Sequence, residues 1–189
     1  SVNLFTDAID LAADLGATHL VVVPGRMSPL FPPPHEQRET WMRESLDALV
    51  PRAERRGVTL ALENVPFASF PDAAALGAFV REYGSRSLGV CYDVANAHFI
   101  GESPGAGLRA LRELVHLVHL SDTTRSAWRH DEAGLGDVPF AQVHTALDDI
   151  NFEGTCMLEI ISSEPVSAIQ RSHETLTAFG FAPVAQGRA

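Results

Sequence analysis

Five short runs of this chain are almost continuously apolar, and amphipathic stretches separate them. The runs are Thr18-His19-Leu20-Val21-Val22-Val23, Val58-Thr59-Leu60-Ala61-Leu62-Glu63-Asn64, Leu88-Gly89-Val90-Cys91-Tyr92-Asp93, Val115-His116-Leu117-Val118-His119-Leu120 and Thr155-Cys156-Met157-Leu158-Glu159-Ile160-Ile161. Such runs suit strands buried on both faces of a parallel sheet. The stretches between them carry apolar residues at helical spacing. One helix is expected from Phe5 to Leu15, stopped by Gly16, and another over about 37–56, stopped by Gly57. Pro71-Asp72 opens a third, with Asp72 as its N-cap and Gly84 as its end. Shorter helices are expected over about 105–114 and 140–150, and a last one over about 165–179 before Gly180.

Strand and helix alternating five times predict a parallel α/β architecture. The strand ends follow one another at roughly 26 to 40 residues, the length of a strand-helix repeat. A closed barrel of eight such units takes about 250 residues, whereas the chain has 189 and five strands. It opens in a helix with no strand before it. A barrel lacking its first part is therefore expected, rather than an open doubly wound sheet. No Pro/Gly-rich linker divides the chain, so residues 1–189 read as a single domain, with Pro32-Pro33-Pro34 inside one long loop.

Composition narrows the function. The hydrophobic fraction of 46% and charged fraction of 20% are ordinary for a globular protein. No apolar run reaches the roughly 18 residues of a transmembrane helix, and the first residues lack the basic and apolar regions of a signal peptide. Cys91 and Cys156 sit inside apolar runs and read as buried free thiols of a reducing compartment, so a cytoplasmic location is expected. The formal net charge of −10 argues against gripping a phosphate backbone, so no nucleic-acid partner is expected. A net charge does not bear on a small sugar held in a pocket.

The chemistry lies at the strand ends. Glu63 follows Leu60-Ala61-Leu62, Asp93 follows Val90-Cys91-Tyr92, His119 follows Leu117-Val118, and Glu159 follows Cys156-Met157-Leu158. In a parallel barrel these C-terminal ends converge on one mouth. Three carboxylates and an imidazole crowded there repel one another and lose hydration, and a divalent cation removes both costs. Carboxylate oxygen with one imidazole suits Mn²⁺ foremost, with Mg²⁺, Co²⁺ or Zn²⁺ as alternatives.

Glu63-Asn64-Val65-Pro66, Asp93-Val94-Ala95-Asn96-Ala97-His98, His119-Leu120-Ser121-Asp122 and Leu158-Glu159 resemble the xylose-isomerase-like TIM-barrel superfamily. The resemblance spans roughly residues 5–180 and corresponds to strands four to eight of a (β/α)8 barrel, so it implies that strands one to three are absent. It implies Glu63, Asp93, His119 and Glu159 as ligands of one metal ion, with Glu63 and Glu159 also acting as acid and base. It implies substrate contacts for Arg125 and for His130, which precedes Gly134-Leu135-Gly136-Asp137. Two positions depart from the pattern. Asn96 stands where the endonucleases and ketose epimerases of the superfamily have histidine, and Trp128 where the endonucleases have an aspartate that helps hold a third zinc. Both changes point away from a three-metal cluster. His98 is the next histidine after Asn96 and is a candidate substrate contact; whether it turns to the site is open.

The implied reaction is metal-dependent isomerisation or epimerisation of a sugar or sugar phosphate, through proton abstraction beside a carbonyl and an enediolate. A dehydratase of the inosose or dehydroshikimate type would use the same residues. A repair endonuclease and a non-catalytic fragment with open sheet edges are further alternatives, and homo-oligomerisation is undecided. His116 lies three residues before His119, so on a regular strand it faces the other way, toward the helices. Asp122 reads equally as a partner for His119 or as a loop cap.

Overall fold

A computed structural model describes residues 2–25, 27–28 and 30–182. The end of the expected domain, residues 183–189, lies outside the described residues. The elements follow in the order α1 (Val2–Asp14), β1 (His19–Val22), α2 (His35–Arg56), β2 (Thr59–Glu63), α3 (Ala73–Tyr83), β3 (Leu88–Asp93), α4 (Val94–Phe99), α5 (Pro104–Leu111), β4 (Val115–Leu120), β5 (Asp122–Thr124), β6 (Ala127–Asp131), α6 (Phe140–Asp149), β7 (Thr155–Leu158) and α7 (Pro165–Ala178). The expected strands and long helices are present within a few residues. Asp72 caps α3 through its side chain, which accepts from the Ala75 N–H at 2.8 Å. Two features are additional: the short helix α4 directly after Asp93, and the antiparallel hairpin β5–β6.

Five parallel strands form one sheet in the order β1-β2-β3-β4-β7. The sheet curls into a half-barrel. His19 on β1 and His116 on β4 are separated by two strands, which in a flat sheet would put them about 14 Å apart. Their side chains nevertheless meet across the inner face, with Nε2 and Nδ1 3.3 Å apart. Small inner residues permit this curl. Val21, Ala61 and Gly89 stand side by side in register, and Cys91 and Leu117 complete a small inner cluster with them. The outer face is larger and fully apolar. Leu60, Leu62, Leu88, Val90, Tyr92, Val118 and Leu120 pack there against the helices as the main core.

The expectation for His116 is corrected. The register between β3 and β4 slips, because Val90 pairs with Val115 but Cys91 pairs with Leu117. His116 is the extra residue of this β-bulge, and a bulge re-aims its side chain. The ring turns inward and fills the space over Gly89, where a Cβ would stand 2.3 Å from it.

Candidate metal centre

Register decides which strand-end residues meet. Glu63 stands level with Cys91, two residues below Asp93; Asp93 is level with His119; and Met157, two residues before Glu159, is level with His119. The ligand position thus climbs along the chain direction from β2 to β7. Strands of a barrel tilt against its axis, and this climb offsets the tilt. Each of the four residues supplies one ligand atom, and these atoms lie within 4.8 Å of one another. β7 ends at Leu158 rather than running to Ile161, yet the Glu159 N–H still donates to the Leu120 carbonyl at 3.1 Å, which holds Glu159 at the rim.

The electrostatics of the cluster are unbalanced. His119 Nδ1 lies 3.1 Å from Glu63 Oε1, 3.0 Å from Glu159 Oε2 and 4.0 Å from Asp93 Oδ2. One ring nitrogen carries at most one hydrogen, so it cannot serve three carboxylates. Asp93 Oδ2 and Glu159 Oε2 are buried without a hydrogen bond among the described residues. Burial pulls the His119 imidazolium down, but the closeness of Cys91, Glu159 and Glu63 outweighs this and pushes it up to about 12. Burial drives the Asp93 carboxyl well above the usual range; the Asn96 N–H opposes this, and Glu63 and Glu159 add repulsion. His119 in turn holds Glu159 down to about 2. The protein alone relieves the crowding with retained protons. A divalent cation would do so with charge, and it would give both orphaned oxygens a partner. The donor set of oxygens with one nitrogen fits such an ion.

Other polar residues brace these ligands. Asn64 clamps the Asp93 peptide from both sides: its Nδ2 donates to the Asp93 carbonyl at 3.0 Å, and its Oδ1 accepts from the Asp93 N–H at 2.7 Å. The clamp ties the end of β2 to the end of β3. Asp93 also caps α4 by accepting from the Asn96 N–H at 2.6 Å. Asp122 proves to be the loop cap. It accepts from the N–H groups of Thr123, Gly134 and Val138 at 2.7–3.0 Å and so organises the loop before α6. That docking needs two glycines. Gly134 has φ +97°, and a Cβ at Gly136 would lie 2.2 Å from the Thr123 carbonyl oxygen.

His130, on β6, comes to the cluster: its Nδ1 lies 3.6 Å from Glu159 Oε2, 3.8 Å from Asp93 Oδ2 and 3.0 Å from Ser121 Oγ. His98 is buried in α4, with Nε2 2.7 Å from Asp137 Oδ1, and so ties the helix to the loop. Arg125 is exposed at the turn of the β5–β6 hairpin. The two departures from the superfamily pattern are bonded to each other: Trp128 Nε1 donates to Asn96 Oδ1 at 2.7 Å. Cys91 is buried in the inner layer against His119, and burial pushes its thiol up to about 11.

Fold and cluster define a parallel α/β half-barrel with an acidic mouth whose four ligand atoms could hold a cation. The chain belongs to the xylose isomerase-like TIM-barrel family, whose model matches residues 1–179. An uncharacterised protein of Methanocaldococcus jannaschii is 26% identical over 175 residues, covering 84% of this chain and 56% of that protein. The chain therefore spans just over half the length of this curated relative. Among solved structures, a D-tagatose 3-epimerase-like protein superposes with a TM-score of 0.80 at 23% identity, over 95% of this chain and 69% of its own. An L-ribulose 3-epimerase gives 0.81 at 21%, over 95% and 65%. A 3-keto-D-glucoside 4-epimerase from E. coli gives 0.80 at 19%, over 94% and 70%. At such identities the likeness speaks to the fold.

Proposed function

We propose that this chain carries the metal-binding and acid/base part of a sugar isomerase or epimerase. The observation that supports this best is the set of four converging ligand atoms with two buried carboxylate oxygens left unbonded. Glu63, Asp93, His119 and Glu159 would hold one divalent ion, Mn²⁺ foremost. When bound, that ion supplies a Lewis acid that makes a carbon-bound proton beside a carbonyl more acidic. The 14 basic residues of the chain are all arginine. With no lysine, no iminium with substrate can form on a side chain here, so an ion is the electrophile these residues can offer.

Glu63 and Glu159 come from strands on either side of the Asp93–His119 pair, so they can address a substrate from two sides. One carboxylate takes the proton from the carbon beside the carbonyl. The other delivers a proton to the opposite face, giving the epimer, or to the neighbouring carbon, giving the isomer. Asp93 is buried, braced by Asn64 and Asn96, and serves as ligand only. His130 Nδ1 faces the two orphaned oxygens and would meet substrate oxygens near the ion, with Arg125 and His98 as more distant candidates for substrate contact. The Trp128–Asn96 hydrogen bond supports a single ion over a three-metal endonuclease site.

The test is proton exchange. Mn²⁺-loaded protein, incubated with a panel of ketoses in D2O, should wash deuterium into the carbon beside the carbonyl, followed by NMR. Glu63→Gln and Glu159→Gln should each slow exchange by about 10³-fold. Absence of exchange with every ketose, together with an absorbing enone product from inososes, would replace this reading with a dehydratase.

A further inference from the structure

Beside the carboxylate cluster stand three aromatic rings from three different elements. Phe67 follows β2, Phe99 ends α4 and Trp128 lies on β6. Their centroids form a closed triangle: Phe67 to Trp128 is 5.8 Å, Phe67 to Phe99 is 6.2 Å and Phe99 to Trp128 is 6.3 Å. The triangle joins the site along two edges. The Trp128 ring lies 6.0 Å from that of His130, which faces Asp93 and Glu159. Trp128 Nε1 is bound to Asn96, whose N–H is bound to Asp93.

Packing does not explain this cluster. Phe67 is 53% exposed and Trp128 39% exposed, so both rings give much of their area to water. Phe67 also has φ +65°, in the left-handed region that costs a non-glycine residue about 1 kcal/mol. The left-handed backbone belongs to the turn Val65–Ala68, in which Phe67 follows Pro66 and the Ala68 N–H donates to the Val65 carbonyl at 3.1 Å, and this turn presents the half-exposed ring beside the site. With its N–H committed to Asn96, Trp128 offers a ligand its π face rather than a donor. Such faces take C–H groups and apolar edges. They do not take a phosphate, and among the described residues the ring with an arginine over it is Phe79, outside the triangle. The three carboxylates with one divalent ion would also leave a net negative charge nearby, which disfavours a dianion.

We propose that Phe67, Phe99 and Trp128 form a specificity platform for the unreacting end of a neutral, unphosphorylated sugar. The proposal rests on the sugar reading above. The carbonyl end lies at the carboxylate cluster while the C–H face of the remaining carbons covers the rings, and Phe67 is the residue whose ring exists for this contact.

Phe67→Gly tests it, because glycine accepts the left-handed backbone while removing the ring. With free D-tagatose or D-fructose, the variant should show KM raised about 5-fold, kcat and Mn²⁺ binding unchanged, and Tm equal to or above the parent. In a Trp41→Phe background, Trp128 is the sole tryptophan, and its fluorescence should titrate with the free ketose. The 6-phosphates should be at least about 10-fold poorer ligands. An unchanged KM, a lowered Tm, or a preference for the 6-phosphate would overturn the platform while leaving the isomerase reading in place. Fluorescence titration by free ketose with no proton exchange would support the platform and sink the isomerase reading instead.

Discussion

At the scale of single residues, burial decides what each polar group can do. Glu102 is an example outside the site. It accepts from the Tyr92 hydroxyl at 2.9 Å and from the Ala73 N–H at 3.1 Å, joining β3 to α3. Burial raises its carboxyl above the ordinary value, and the two hydrogen bonds only partly offset this. The folded protein therefore holds a proton on this carboxyl more readily than the unfolded chain does. The stability from this group is fully present below the ordinary carboxylate value and is lost as pH rises through the raised folded value. Glu102→Gln imitates the protonated form. Thermal melts between about pH 4 and pH 7 should show a smaller decline for the variant than for the parent, and equal slopes would refute the assignment. The same rule explains which site residues could be read in advance. Glu63, Asp93, His119 and Glu159 each follow two or three apolar residues near the end of an apolar run, so the placement of these candidates shows in one dimension. Asn64 and Asp122 bond to peptides 29 and 16 or fewer residues away, and their side-chain types alone name no such partner.

At the scale of elements, short pieces with local hydrogen-bonding causes escaped the hydrophobic pattern. The helix α4 exists because Asp93 caps it while also facing the site, and six residues are too few to show a helical period. The β5–β6 hairpin has strands of three and five residues, and its polar run Asp122-Thr123-Thr124-Arg125 looks like loop. Yet these two elements carry Phe99, Trp128 and His130, which with Phe67 line the rim. The loop behind them depends on Gly136 fitting against Thr123 and Asp122. Gly136→Ala should cost about 3 kcal/mol through backbone collision, lowering Tm by roughly 6–12 °C. Because Asp122 anchors this loop, the variant should also lose proton exchange at temperatures where it is still folded. A melt within about 2 °C of the parent, the shift expected from under roughly 1 kcal/mol, would contradict the close approach.

At the scale of the whole molecule, the half-barrel gathers negative charge at one end and leaves β1 and β7 each with one free edge among the described residues. Filling the cluster with a cation should therefore stabilise the whole chain, since an unfolded chain presents no such cage. Mn²⁺ at 100 times its Kd should add about 2.7 kcal/mol, a rise in Tm of roughly 5–10 °C, reversed by EDTA. Asp93→Asn should abolish that rise. A parent chain whose Tm ignores Mn²⁺, Co²⁺ and Zn²⁺ alike would sink the metal centre. No described helix is long and apolar enough to cross a membrane.

The periodicity of the chain by itself determined five parallel strands, their order of connection to the long helices, and four ligand candidates at strand ends. These follow from one-dimensional facts: apolar runs, glycine stops and a polar residue near the end of four of the five runs. The family relationship agrees with that architecture. Only the tertiary structure decided that the four ends meet, because convergence depends on the register climb across β2, β3, β4 and β7. It alone turned His116 inward, through a bulge that no pattern of residue types announces. It alone bonded Trp128 to Asn96 and gathered three distant aromatic residues beside the cluster. Contacts between residues far apart in the chain are set by curl, stagger and packing, and those are properties of the assembled sheet.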